Sequence, residues 1–285
     1  MSPRICCVGD VISDVVVHLD SEPEQGTDTP ATIVTTRGGS AAGVTVAVSA
    51  AGGVGRFVGS VGDDHTGAEL VADLRENGVE TYTVAVGTTG TIVVLVDGDG
   101  ERTFLTDRGA AIELASMPTG ALDDVDLLHV PAYSFLDGPL AETTETMIGI
   151  AVDRTIPISV STSSVAALRQ FGRDNFLSLL DAIGPTYVIA NGDEYRFLMG
   201  DEPCITSAEH TVITHGARPA VLRKLDGTEV RVGPTATTVS DTTGAGDAFT
   251  GGFLVARLGG AGYEDALTRG HNLAARVLSK AGFQL

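Results

Sequence analysis

Short apolar runs rich in β-branched residues recur along the chain at residues 5–8, 57–61, 127–130, 156–160, 187–190 and 212–214, with Gly, Asp or Asn at or just beyond several of their ends. Stretches of helix-compatible spacing separate them. Continuous apolar strands alternating with helices predict βαβ units and a mainly parallel sheet covered on both faces, with ligands gathering at the C-terminal strand ends. Two regions break the rhythm. Residues 15–19 and 31–36 read as strands with no helix between them, and residues 91–96 and 102–106 flank the turn Asp97-Gly98-Asp99-Gly100, a strong hairpin signal. Together they predict a small β-sheet standing off the main domain; edge hairpins of the main sheet are the competing placement.

At 285 residues, 43% hydrophobic, with 36 Gly and 11 Pro, the chain has enough apolar material for a large core and a turn-rich globule. Its net charge of -19 argues against nucleic acid or an anionic membrane as partner, because phosphate neutralisation needs clustered Lys and Arg. Only two lysines occur, Lys224 and Lys280. Cys6, Cys7 and Cys204 supply neither a disulfide framework nor metal-ligand spacing, which points to a reducing compartment. With no secretory leader pattern and no run of 18 apolar residues, a cytoplasmic location is expected.

The segment DTTGAGDAFTGGF, residues 241–253, carries the most chemistry. Gly244, Ala245 and Gly246 are small enough for backbone to approach a ligand, and the apolar positions after them begin a helical pattern that puts Asp247 in the first turn. Unpaired amides and the dipole at a helix start bind phosphate, and a neighbouring acid can take a proton from an attacking hydroxyl. A plain helix cap is the structural alternative. No GxxxxGK[ST], HExxH or GxSxG is present, and Phe249 stands where a dinucleotide fingerprint needs its last Gly.

From Asp241 through Leu254 this segment resembles, without a break, the C-terminal signature of the ribokinase-like (PfkB) carbohydrate kinases, and weaker matches extend over nearly the whole chain. The resemblance implies a single domain over residues 1–285. Its fold would be an α/β, three-layer α/β/α sandwich with a mainly parallel sheet and a small β lid, from about 11–37 and 90–107, often with dimer contacts. It implies ATP-dependent phosphorylation of a sugar or nucleoside hydroxyl, with Mg²⁺ and, in many members, K⁺. Asp247 would be the general base, and Gly244, Ala245 and Gly246 the anion hole. In VGDVISD and RGGSAAG, Asp14, Gly38 and Gly39 would hold the acceptor. Arg108, in TDRGAAIEL, is brought toward the same pocket and suits a carboxylate or phosphate. In NGDE, Asn191 would contact nucleotide and Glu194 would organise Mg²⁺ through water. Thr214 and Gly216, in VITHGARPA, and Asn272, in the last helix, fit nucleotide positions. Asp241 and Thr243 would supply oxygens to a monovalent cation. The turn SVGDDHTGAEL reads as architectural, with Asp63 in that role.

Three departures stand out. Gly43 replaces the Asn of the usual GGxxxN, Ile12 replaces a polar sugar contact, and Pro219 replaces the last Gly of TxGxxG. Fewer side-chain donors and acceptors weaken discrimination by hydroxyls, which favours a bulkier, less polar acceptor such as a nucleoside. The same departures motivate the competing class, a non-catalytic sugar or nucleotide sensor of the same fold. The intact Asp247 and GAG loop argue against it.

Overall fold

Successive side chains of the first strand, β1 (Arg4–Val8), are buried on opposite sides. Ile5 and Cys7 join one apolar cluster, while Cys6 and Val8 join another. This period of two on a strand buried on both faces makes the molecule layered, with a core above and a core below one sheet. The computed structural model describes residues 2–200, 205, 207–239 and 242–279. After β1 come β2 (Ile12–Leu19), β3 (Ala31–Gly38), α1 (Ser40–Ala50), β4 (Val54–Val61), α2 (His65–Glu76), β5 (Glu80–Ala85), β6 (Thr91–Val96) and β7 (Arg102–Asp107). The chain continues through β8 (Leu127–Pro131), α3 (Gly138–Asp153), β9 (Ile158–Ser161), α4 (Val165–Phe171), α5 (Arg173–Ile183), β10 (Tyr187–Asn191) and α6 (Gly192–Met199). Three strands, β11 (His210–His215), β12 (Arg218–Lys224) and β13 (Glu229–Val232), precede α7 (Ala245–Leu258) and α8 (Tyr263–Leu278).

The main sheet has nine strands in the order β13-β12-β11-β10-β9-β8-β1-β4-β5. The seven from β11 to β5 run parallel, and β12 and β13 add an antiparallel edge. Buried residues of α3, α4, α5 and α6 cover one face, and those of α1, α2, α7 and α8 cover the other. A separate four-stranded sheet, β3-β2-β6-β7, pairs β2 with β6 in parallel and closes each side with an antiparallel hairpin partner. The two irregular regions of the sequence thus form one small sheet rather than edges of the large one.

One packing detail positions the site. Helix α1, composed mostly of Ala and Val, is buried from Ala41 through Val48, with the Thr45 hydroxyl given to the Ala41 carbonyl, and lies against α7. Gly43 and Ala47, four apart on α1, face Asp247 and Gly251, four apart on α7. A Cβ on Gly251 would stand 2.5 Å from the Cβ of Ala47. Four-residue spacing keeps each pair on one face of its helix, so this small-residue seam draws the two helix starts together.

Candidate active site

Asp247 stands at the third position of α7, whose N-cap, Gly244, adopts a left-handed conformation. The first amides of a helix have no partner within it. Here the amide of Ala245 is given to the Thr242 carbonyl at 3.3 Å, so those of Gly246 and Asp247 lead the anion-binding end. Asp247 is half-buried, and Ser40 Oγ donates to its Oδ1 at 2.8 Å. Burial pushes this carboxyl up to about 7, against the lowering influence of the Ser40 bond and of Arg37. Nothing in the sequence signalled that shift, because it comes from packing against α1.

Asp247 forms part of two adjoining cavities. One, of about 270 Å³, is walled by Ser161, Ser163, Asn191, Glu194, Thr214 and Gly246 among others. The second, of about 250 Å³, brings in Asp14, Arg37, Gly38, Gly39 and Gly43. Ser40 belongs to both and also to the largest cavity, of about 560 Å³, beneath the small sheet. That space is lined by Ile12, Ile92, Phe104, Leu136, Ala166 and Ala167, with Asp10, Asp14, Arg108, Tyr133, Asp137 and Ser164 as its polar groups. On the far side of Thr214 and Gly246 lies a fourth hollow, of about 180 Å³, walled by Gly216, Pro234, Phe249, His271 and Ala275.

The acceptor residues expected from sequence converge. Asp14 lines both the largest cavity and the one beside Asp247. Its Oδ1 is buried and has no hydrogen-bond partner among the described residues. Burial first, and Asp10 second, push its carboxyl up to about 6. The glycine pair serves close approach: a Cβ on Gly38 would lie 2.3 Å from the Asp14 carboxylate, and one on Gly39, at φ +98°, 2.5 Å from the Asp10 carbonyl oxygen. Arg108 faces the largest cavity, with Nη2 donating to the Tyr133 carbonyl at 3.2 Å and Nη1 3.7 Å from Asp137.

On the nucleotide side, Thr214 and Gly216 share the fourth hollow, while Asn191 and Glu194 share the 270 Å³ cavity. NGDE is also a complete capping box. Asn191 Oδ1 accepts from the amides of Asp193 and Glu194, and Glu194 Oε2 accepts from the Asn191 amide at 2.9 Å. The Thr162 hydroxyl and Asn191 Nδ2 also donate to the Glu194 carboxylate. These three donors leave about one of its four lone-pair sites, on Oε1, open to a water. Among the described residues no three His, Cys, Asp or Glu form a metal cage.

Three expectations need adjustment. Asn272 is exposed, accepts from Thr235 Oγ1 at 2.6 Å and lines a different hollow with Ala51 and Gly252. Thr235 and His271, not Asn272, line the hollow shared by Thr214 and Gly216. The Thr243 hydroxyl accepts from Arg102 Nη1 at 2.6 Å, and a guanidinium there repels a cation from that oxygen. Asp241, the other residue expected at a cation, lies outside the described residues, as do Cys204 and Lys280. In the turn after β4 the capping acid is Asp64, not Asp63. It accepts from the Thr89 hydroxyl at 2.6 Å and from the amides of Thr89 and Gly67 at 2.8 Å, which holds its carboxyl below the usual range. Sequence reasoning missed Asp10, buried in the acceptor wall with its Oδ1 3.4 Å from the Ala41 amide, although an acid directly after Gly9 at a strand end was a usable signal.

A family model for pfkB family carbohydrate kinases matches residues 2–285. The chain belongs to that family. Among other pfkB proteins it is 30% identical to a sugar kinase of Archaeoglobus fulgidus, over 79% of this chain and 92% of the relative. It is 29% identical to ribokinase of Bacillus subtilis, over 99% and 94%. The fold matches that of the adenosine kinase of Sinorhizobium meliloti with a TM-score of 0.86, at 24% identity, over 100% of this chain and 96% of that one. Its family is thus one of carbohydrate kinases.

Proposed function

We propose that this pfkB kinase transfers the terminal phosphoryl group of ATP to a hydroxymethyl group of a nucleoside-like acceptor held beneath the small sheet. The observation that carries the reading is the position of Asp247: one carboxylate at a helix start, in the wall between a polar cavity suited to phosphates and a space leading to the acceptor side. Acting as general base, Asp247 takes the proton of the acceptor hydroxyl. The amides of Gly246 and Asp247 face the charge on the phosphoryl oxygens. Glu194, with Asn191, would hold Mg²⁺ through water; when bound, that ion neutralises phosphate charge.

The acceptor class is argued from the walls. A cavity of about 560 Å³ whose walls include Ile12, Ile92, Leu136, Phe104 and Tyr133 suits a ligand with a flat apolar part, while Asp14 is suited to two hydroxyls. A second reading, an acceptor bearing a carboxylate or phosphate, is favoured by Arg108, whose buried Nη1 lacks a hydrogen-bond partner among the described residues. The small sheet serves as the lid over this cavity, and Ile33 and Leu105, exposed on its opposite face, offer a surface for a second copy of the chain. A panel of nucleosides, free sugars, sugar acids and sugar phosphates, assayed with ATP and Mg²⁺ with and without K⁺, tests the assignment. Preference for free hexoses over every nucleoside would overturn the acceptor class. Full turnover by Asp247→Asn would overturn the role of the base.

A further inference from the structure

The chemistry above needs the Asp247 carboxylate to point at an acceptor oxygen, and two residues of α1 control where it points. Ser40 is the first residue of α1, at the end where that helix presents its own unpaired amides. Its hydroxyl donates to Asp247 Oδ1 at 2.8 Å. On the next turn toward the helix interior, an ideal Cβ on Gly43 would stand 2.7 Å from Asp247 Oδ2 and 3.1 Å from its Cβ and Cγ. One carboxylate oxygen is therefore tethered, and the other occupies the volume that any side chain at position 43 would fill. Ser40 lines all three cavities that meet here, so the tether lies where both substrates arrive.

We propose that Ser40 and Gly43 form a seat for the catalytic base, with Ser40 a positioning residue that fixes the Asp247 carboxylate and Gly43 the gap that admits it. The departure from GGxxxN then has a structural reason. In this chain the position gives its space to the base instead of reaching for an acceptor hydroxyl. Carboxylate torsions about χ2 are broad, so without the tether the group would sample orientations unsuited to proton transfer. A hydroxyl donating to a carboxylate also favours its ionised form. The seat lies between the positive ends of α1 and α7, which acts in the same direction. The other groups whose charge meets Asp247 are Asp10 after β1, Arg37 on β3 and Glu194 on α6, with Cys7 and Tyr133 feeling its charge in turn. None of these changes when the Ser40 hydroxyl is removed, so a shift on its removal is assignable to the tether.

The inference rests on Asp247 being the base, and the experiment separates the two. Steady-state kinetics and pH profiles are measured for Ser40→Ala, Ser40→Thr, Gly43→Ala and Asp247→Asn, with ATP binding followed by calorimetry. Ser40→Ala is expected to lose about 10- to 100-fold in kcat, the worth of a hydrogen bond to a charged group, with the affinity for ATP within about twofold of the parent. Its acidic limb should move to higher pH, since the ionised base has lost a donor. Ser40→Thr, which keeps the hydroxyl, should recover most of the loss. Gly43→Ala, which retains Ser40, should lower kcat by displacing the carboxylate from the other side. This variant carries the test if Ser40→Ala does not fold. An unshifted acidic limb and unchanged kcat in Ser40→Ala, beside an inactive Asp247→Asn, would overturn the seat and leave the base standing. So would a defect confined to the acceptor KM, which marks Ser40 as an acceptor contact only. An active Asp247→Asn would instead remove the base assignment itself.

Discussion

At the scale of single residues, Asp247 is pulled two ways. Burial holds its carboxyl at about 7 where the unfolded chain has about 4, so the folded state binds an extra proton between those values. Its contribution to stability is present at low pH and is lost as pH rises through 7. Asp247→Asn should therefore raise the melting temperature at pH 8, because a neutral group replaces a half-buried charge, while turnover falls by about three orders of magnitude. Thermal melts and kinetics on the same sample check both signs. Activity runs the opposite way: the base must be ionised, so kcat/KM should fall with a slope of one below about pH 7. The slope should reach two below about pH 6, where Asp14 also takes up a proton. Of this, the place of Asp247 was legible in the sequence, from small residues before an apolar helix. Its titration was not, because that depends on α1, some 200 positions away in the chain, packing against the start of α7.

At the scale of elements, NGDE shows one motif in two roles. Read along the chain it promised nucleotide and metal contacts; folded, it also caps α6, with the Glu194 carboxylate saturated on its inner side. Asn191→Ala removes the half of the box made by the Asn191 side chain and leaves the backbone amide of residue 191 to donate to Glu194. It should cost about 1 kcal/mol of stability, measured by urea unfolding, and weaken ATP binding in the same variant. The parallel strands at the sheet centre were readable because burial on both faces makes them continuous apolar runs. The edges were not. β5 is only half-buried, and β13 alternates exposed and half-buried residues, so neither carries the composition that marks a core strand. The turn after β4 was legible as architectural, but that Asp64 rather than its neighbour Asp63 caps α2 depends on Thr89, across the fold.

For the whole molecule, a net charge of -19 spread over 285 residues opposes compactness. Screening lengths shrink from about 10 Å at 0.1 M salt to about 3 Å at 1 M, so the melting temperature should rise with sodium chloride over that range. A flat response in calorimetric scans would show that ion pairs such as Arg56 with Glu80 already offset the repulsion. Buried His129, held neutral at about 3 by burial between Ser159 and Ser161, acts at the acid end. Its folded value lies below its unfolded one, so its contribution is present above about pH 6.5 and is lost as pH falls toward 3.

The single carboxylate shared by the wall between the donor and acceptor spaces also fixes the stereochemical course of the reaction. With both substrates present at once and no second nucleophile needed, the phosphorus is attacked once, from the side opposite the departing diphosphate. A terminal phosphate made chiral with oxygen isotopes should therefore emerge inverted in the product, and initial-rate plots for the two substrates should intersect. Retention of configuration would mean that Asp247 had itself carried the phosphoryl group.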